Sequence, residues 1–278
     1  MNPAVIGLVL FAAALHAAWN AVLRSGDDRL WSVTIMSFAT TIVAIPFAIM
    51  LPLPSSLSWP YLILSSSLQV GYSVFLVFAY RYGELGQVYP IVRGSVPLLV
   101  TFGGFLLADQ HPSALSLFGV ILVALGILSL ALGKRRATAK SVALAFITGL
   151  FIASYITADG IGVRLAGDPL AYATWIFLIY GALMPMTFFA FRRRLTLEVL
   201  SSETLKALAG GVISLIGYVA IISALALGPI GPISALRETS VVFAILIGRV
   251  FLGEALTMRR FAACAIVAVG ASCLGYHP

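Results

Sequence analysis

Ten apolar stretches, each about as long as a transmembrane helix, follow one another along the chain with only short polar segments between them. They lie at about 3–23, 30–51, 59–80, 86–107, 113–133, 141–163, 169–191, 206–227, 231–252 and 257–276. A helix rises about 1.5 Å per residue, so roughly 20 apolar residues cross the roughly 30 Å hydrocarbon core of a bilayer. No segment between the stretches is long enough for a soluble domain. The sequence therefore predicts an all-α integral membrane protein with ten transmembrane helices.

The composition agrees with a location in lipid, because hydrophobic residues make up 61% of the chain and charged residues only 10%. In a soluble protein, a net charge of +7 would suggest a nucleic-acid partner. The basic residues here lie in short loops between apolar stretches, so we expect them to face lipid headgroups. We expect the bilayer as a partner and no nucleic acid. Cys264 and Cys273 lie on opposite sides of one predicted helix, which predicts neither a disulfide nor a metal site. No nucleotide-binding or hydrolase motif occurs, so we expect no cofactor and no enzymatic activity.

The lysines and arginines are unevenly divided between two alternating sets of loops, which predicts the orientation of the chain. One set contains Arg24, Arg29, Arg81, Lys134, Arg135, Arg136, Lys140, Arg192, Arg193, Arg194, Lys206, Arg259 and Arg260, and the other contains only Arg164. The basic set should face the cytoplasm. We therefore expect a multi-pass protein of the cell inner membrane with both termini outside the cytoplasm.

The two halves of the chain are related by an internal duplication. A shift of 145 positions places Gly83, Gly86, Ser95, Val96, Gly103, Leu107 and Asp109 on Gly228, Gly231, Ser240, Val241, Gly248, Leu252 and Glu254. Because five spans per half is an odd number, the second half enters the membrane from the opposite side. The sequence predicts two inverted five-helix repeats, at 1–140 and 141–278. Such repeats let a site near the midplane open to either side, which predicts a secondary transporter that works by alternating access.

Short motifs occur in both halves: His16-Ala-Ala-Trp19-Asn20, Pro97-Leu-Leu-Val, Leu107-Ala-Asp109, Gly119, Gly126, Glu254-Ala-Leu and Gly270. They resemble those of the drug/metabolite transporter superfamily, and within it the EamA family of duplicated five-helix units. In the second half Val242 and Cys264 replace the proline and the first glycine of the pattern. The resemblance implies ten helices and export of small metabolites, commonly driven by protons.

The most unusual span carries Arg93 between Pro90 and Pro97. An arginine near the bilayer centre costs about 2.5–3.5 kcal/mol, so Arg93 should face protein, water or an anion. The repeat pairs it with Glu238, and the helix rise puts the two positions about 10 Å apart along the membrane normal, a gap that two long side chains could just close. Either a bound zwitterion fills this gap, or the two residues form a permanent ion pair that joins the halves. Arg237 is an additional partner for an anion, and Glu238 is the candidate for proton coupling.

Further polar and aromatic residues within the spans are candidates to contact the cargo. His16, Trp19 and Asn20 lie in the first span, and Tyr72, Tyr89, Tyr155 and Tyr218 lie in later ones. The competing interpretation is helix-to-helix hydrogen bonding for the first group and packing or an interfacial belt for the tyrosines. Asp159 is a candidate proton site, but we expect it instead to reach the membrane interface beside Arg164. Ser113 and Thr257 should cap the fifth and tenth spans, next to Asp109 and Glu254.

These patterns predict a secondary active transporter that exports a small polar metabolite, amino-acid-like or aminophosphonate-like, as a monomer or homodimer. Two alternatives remain open from the sequence. One is an intramembrane enzyme that acts on a lipid, with His16, Asp159 or Glu238 as acid or base. The other is a passive channel.

Overall fold

The computed structural model describes residues 1–24, 28–82, 85–132, 138–192, 195, 198, 201–251 and 256–276. Within these residues the secondary structure is helical, without a strand. The α-helices are α1 (Pro3–Arg24), α2 (Arg29–Met50), α3 (Trp59–Tyr82), α4 (Leu85–Ala108), α5 (Ala114–Ser129), α6 (Ala139–Ala166), α7 (Pro169–Phe191), α8 (Ser202–Leu227), α9 (Ile230–Arg237), α10 (Ser240–Phe251) and α11 (Met258–Gly275). A 3-10 turn, Ser56–Ser58, precedes α3.

Eight segments of the described chain are long and apolar enough to cross a membrane, and α5 is a shorter apolar helix of 16 residues. Many of their large side chains face outward, among them Ile49, Phe102, Leu107, Phe118 and Met186. An apolar exterior of this kind suits lipid and not water. The predicted all-α membrane fold is confirmed.

The ninth span, predicted as one helix, consists of two. Helix α9 ends at Arg237 and α10 begins at Ser240, with Glu238 and Thr239 in a turn between them. The N–H groups of Glu238 and Thr239 donate to the carbonyls three residues earlier, at 3.1 Å each, which tightens the backbone into 3-10 geometry. The Thr239 hydroxyl also donates to the Leu236 carbonyl at 2.8 Å. This side chain competes for a helix carbonyl, a local conflict that hydropathy does not reveal.

The helices pack as two halves that interlock. Contacts between the halves occur in pairs that correspond under the repeat. Helix α3 packs on α6 as α8 packs on α1, and α2 packs on α8 as α7 packs on α3. Helices α2 and α7 pack on each other, as do α5 and α11. By contrast, α1 has few contacts with α2, and α2 few with α3. Each half therefore completes its core on the other, and the predicted boundary at 140/141 falls in the first turn of α6.

The contact between α5 and α11 depends on two glycines. A Cβ atom added to Gly119 would lie 2.8 Å from the carbonyl oxygen of Gly270, and one added to Gly270 would lie 2.8 Å from the oxygen of Gly119. Such contacts are shorter than packing allows, and the atoms involved are backbone atoms that cannot rotate away. Glycine is therefore required at both positions for the close approach of the two helices.

We expect Gly119→Ala to lower the stability of the folded protein by about 1–3 kcal/mol, the usual cost of overpacking. Thermal unfolding in detergent measures the change. Gly7→Ala is the matched control, because nothing lies within 4 Å of a Cβ atom at Gly7 of α1. Equal unfolding temperatures for the two variants would contradict the close contact.

Candidate functional site

A cavity of about 970 Å³ lies between the helices of both halves. It extends to Arg29, Arg259 and Arg260 at the end of the bundle where the basic loops lie, which we call the basic end. A smaller pocket of about 400 Å³, lined by residues such as His111, Arg164 and Gly228, lies at the opposite end. The larger cavity is of the size that holds a small molecule.

Arg93 and Glu238 meet at the wall of this cavity. Arg93 Nη1 donates to Glu238 Oε1 at 3.0 Å, and the two side chains are 7% and 1% exposed. The Arg93 guanidinium also lies 5.5 Å from the centroid of the Tyr89 ring, a cation–π distance. Arg93 lines the cavity, whereas Glu238 is not among its lining residues. Arg93 therefore has both a carboxylate partner and access to the cavity.

The side chains of Arg93 and Glu238 close the gap of about 10 Å that the helix rise predicts between the two positions. Glu238 lies in the turn between α9 and α10. Only one of its oxygens is used: Glu238 Oε2 is buried and has no hydrogen bond to any residue that the structure describes. The contact is the ion pair of the second hypothesis. The binding of cargo by either residue stays a prediction.

Arg237 is a second guanidinium at the cavity wall. It is 7% exposed, and its buried Nη1 has no hydrogen-bond partner within the described residues. No carboxylate among them pairs with it at ion-pair distance. A buried, unpaired cation is costly, and an anionic ligand would compensate it.

His16, Trp19 and Asn20 all line the cavity, as their candidate role requires. Trp19 Nε1 donates to His16 Nδ1 at 3.3 Å, and Asn20 Nδ2 donates to the His16 carbonyl at 2.7 Å. These bonds lie within α1 and do not join helices. They leave His16 Nε2 buried without a partner in the described chain.

The candidate tyrosines surround the same space. Tyr72, Tyr89, Tyr155 and Tyr218 line the cavity, and the rings of Tyr72 and Tyr155 are 6.2 Å apart. The cavity therefore combines two guanidinium groups with several aromatic faces and phenol hydroxyls. Its described lining contains five arginines (Arg29, Arg93, Arg237, Arg259 and Arg260) and no aspartate or glutamate.

Comparison with known proteins identifies the chain. Residues 139–276 match the model of the EamA-like transporter family. The chain belongs to this family. A crystal structure with 17% sequence identity superposes on 97% of this chain and 94% of its own, with a TM-score of 0.75, so the same fold extends over both halves. No curated protein matches the chain. The resemblance seen in the motifs is confirmed, and the protein is a membrane transporter of the drug/metabolite type.

One residue of this EamA-like transporter lies where the sequence analysis did not expect it. The prediction that Asp159 reaches the interface is wrong, since its side chain is buried. Helix α6 continues to Ala166, which puts Asp159 about 10 Å inside its end. The Asp159 carboxylate accepts hydrogen bonds from the hydroxyls of Tyr172, at 3.3 Å, and Tyr218. Arg164 instead donates to the carbonyls of Leu225 and Gly228 at the end of α8.

Gln69 and Tyr180 are among the polar residues of the EamA-like transporter's cavity that the sequence analysis missed. Gln69 Nε2 donates to the Tyr218 hydroxyl at 2.9 Å and to Ser65 Oγ at 3.1 Å. An amide inside a membrane span is a signal that could have identified Gln69. The predicted N-caps are confirmed, because Ser113 accepts from the Ser116 N–H and Thr257 from the Arg260 N–H. Glu254 lies outside the described residues.

Proposed function

We propose that this transporter moves a small amino-acid-like or aminophosphonate-like metabolite across the inner membrane by alternating access. The observation that carries the proposal is Arg237, a buried guanidinium without a partner in the described chain, at the wall of a cavity of metabolite size. An inward-facing basic end and termini outside the cytoplasm remain part of the proposal, because the positive-inside rule supports them. In that orientation the cavity opens to the cytoplasm, where cargo for export is loaded.

The anionic group of the cargo binds between Arg93 and Arg237. A guanidinium donates two parallel hydrogen bonds to a carboxylate or phosphonate, which fixes the orientation of the group as well as its charge. Both arginines act electrostatically on His16, so the three groups lie near one another. They form a positively charged region in the cavity that favours an anion over a neutral ligand or an amine.

The amino group of the cargo rests on aromatic faces and not on Glu238. Glu238 is turned away from the cavity, and the described lining contains no other carboxylate. The rings of Tyr72, Tyr89 and Tyr155 supply cation–π contacts, which are worth about 2 kcal/mol or more when the pair is dry. The anionic group of the zwitterion is therefore held by the arginines and its amino group by the neighbouring tyrosine rings.

Glu238 couples the cargo to a proton through Arg93. When the anionic group of the cargo draws Arg93 away, Glu238 is left without its cation in a dry site, where the neutral form is favoured. A proton then binds together with the cargo. This coupling moves both in one direction, so an inward proton gradient opposes export, which is driven by cargo made inside the cell. Movement of proton and cargo in the same direction differs from the proton-driven export that the family resemblance implies.

Arg237→Gln tests the anion site. We expect the affinity for cargo to fall about 10- to 150-fold, the effect of losing hydrogen bonds to a charged donor. Thermal shift across amino acids, aminophosphonates, organic acids and amines identifies the cargo, and flux into proteoliposomes measures its transport. Arg249→Gln is the matched control, because it removes an exposed arginine that does not line the cavity. Binding of amines only, or normal affinity in Arg237→Gln, would overturn the proposal.

The flux assay also separates the two alternatives. A transporter leaves its cargo chemically unchanged and saturates, whereas an enzyme converts the molecule and a channel does not saturate. For the enzyme, His16, Asp159 or Glu238 would act as acid or base. In the described structure no hydrogen bond joins any two of them.

A further inference from the structure

A second buried acid lies beyond the anion site, and the proposed transport function does not use it. The Asp159 carboxylate of α6 accepts one hydrogen bond from Tyr172 of α7 and one from Tyr218 of α8. Ser65 of α3 also contacts it. Within the described residues it forms no ion pair. Hydroxyl donors alone therefore hold a carboxylate in a dry site, where a negative charge is costly.

A hydrogen-bonded route connects this acid to the cavity. Asp159 does not line the cavity, but Tyr218 and Gln69 do. The Tyr218 hydroxyl donates to Asp159 Oδ2 and accepts from Gln69 Nε2. A proton from cavity water can bind the Tyr218 oxygen while the hydroxyl passes its own proton to Asp159. Tyr218 ends as a neutral phenol, and the net change is one proton moved from water to the carboxylate.

The charged and titratable groups around Asp159 connect it to the anion site. Tyr172 faces it from α7, Tyr218 from α8, and Arg237 acts on it electrostatically from α9. Tyr155 of the same helix and Tyr61 of α3 act on these two tyrosines. Arg237 therefore links Asp159 to the proposed anion site.

We propose that Asp159 is a proton-binding site, loaded from the cavity through the Tyr218 hydroxyl, and that its carboxylate keeps α6, α7 and α8 closed toward the opposite end. Asp159 is hydrogen-bonded to Tyr218, which lines the cavity, and lies on the same helix as Arg164, which lines the small pocket. The charged carboxylate holds a tyrosine of each neighbouring helix. Once protonated, it accepts these bonds more weakly, and the seal between the two spaces loosens. The inference rests on the proposed function, since it assigns a second proton to the same transport cycle.

Infrared difference spectroscopy of the purified full-length protein tests the proton site without any cargo. After a drop in pH, we expect the carbonyl band of a protonated, buried carboxyl group in the wild type. Asp159→Asn should lose this band, Glu238→Gln should keep it, and Tyr218→Phe should delay its appearance. An unchanged band in Asp159→Asn would overturn the proposal, as would an unchanged rate in Tyr218→Phe.

Labelling from the opposite end tests the seal. Thr101 lines the small pocket, and we replace it by cysteine in a variant that lacks Cys264 and Cys273. The reaction of the new thiol with a membrane-impermeant maleimide is then measured at several pH values. His111→Cys is the control for the reactivity of the thiol, because His111 is exposed at the same end. We expect relative labelling of Thr101→Cys to rise in acid, and to be high and independent of pH when Asp159→Asn is added.

Persistence of the pH dependence in Asp159→Asn would overturn the role of this residue. If Asp159→Asn does not fold, Tyr172→Phe replaces it in the test. This variant removes one hydrogen bond to the Asp159 carboxylate and should raise labelling of Thr101→Cys at neutral pH. Unchanged labelling in Tyr172→Phe would contradict the seal. Neither experiment depends on Arg237 or on the cargo. Failure of the proposed anion site would therefore appear in Arg237→Gln and leave these results unaffected.

Discussion

Arg93→Gln is expected to abolish transport and to lower the stability of the folded protein by about 3–5 kcal/mol, the cost of breaking a buried ion pair. The variant leaves the buried Glu238 side chain without its only described ion-pair partner. It also removes one of the two guanidinium groups proposed to bind the anionic group of the cargo. Thermal unfolding in detergent measures the first effect and flux into proteoliposomes the second.

The double variant Arg93→Gln with Glu238→Gln separates the two roles of Arg93. Replacing both partners of a buried pair by neutral residues is often close to neutral for stability, so folding should recover. Transport should stay lost, because the cargo still lacks its arginine. Recovered transport in the double variant would show that the pair only joins the halves. Normal transport in Arg93→Gln alone would exclude both roles.

Glu238→Gln is expected to abolish the response of transport to a pH gradient while exchange of cargo at equal pH continues. The glutamine cannot take up the proton that Glu238 binds when cargo draws Arg93 away. In the wild type, an imposed gradient should concentrate cargo on the alkaline side, since proton and cargo move together. In the variant, cargo should only equilibrate. Uptake into proteoliposomes at imposed pH differences measures both cases.

Glu203→Gln is the matched control for this experiment, because it makes the same chemical change at an exposed position in the first turn of α8. Its response to the gradient should equal that of the wild type. A Glu238→Gln variant that still concentrates cargo would remove Glu238 from the coupling mechanism. In that case the response of transport to the pH gradient should be lost in Asp159→Asn instead.

The sequence predicted those features that depend on long patterns. The membrane spans follow from hydropathy, which averages over many residues and tolerates local errors. The repeat led to Arg93 and Glu238, because equivalent positions of an inverted pair lie at the interface of the two halves. The structure brings these two side chains to 3.0 Å.

Features that depend on single residues were not predictable. The turn at Glu238 and Thr239 arises from local hydrogen bonding, and the burial of Asp159 depends on where α6 ends. The amide of Gln69 inside a membrane span was a usable signal, but Tyr180 lies in α7, whose apolar residues show no periodicity that tells which face lines a cavity. The places of both residues in the cavity follow from the packing of α3 and α7 against the other half.

The interlocking of the halves also affects how the protein is made. Arg93 and Glu238 are 145 residues apart in the chain. At about 5–20 residues per second, the carboxylate leaves the ribosome roughly 7–30 s after the arginine. During that interval α4 would carry an unpaired guanidinium into lipid at about 2.5–3.5 kcal/mol, and α1 would lack its main partner α8. We therefore expect the first five helices to stay beside the insertion machinery until α9 is inserted. Their final packing forms only after the second half of the chain has been made.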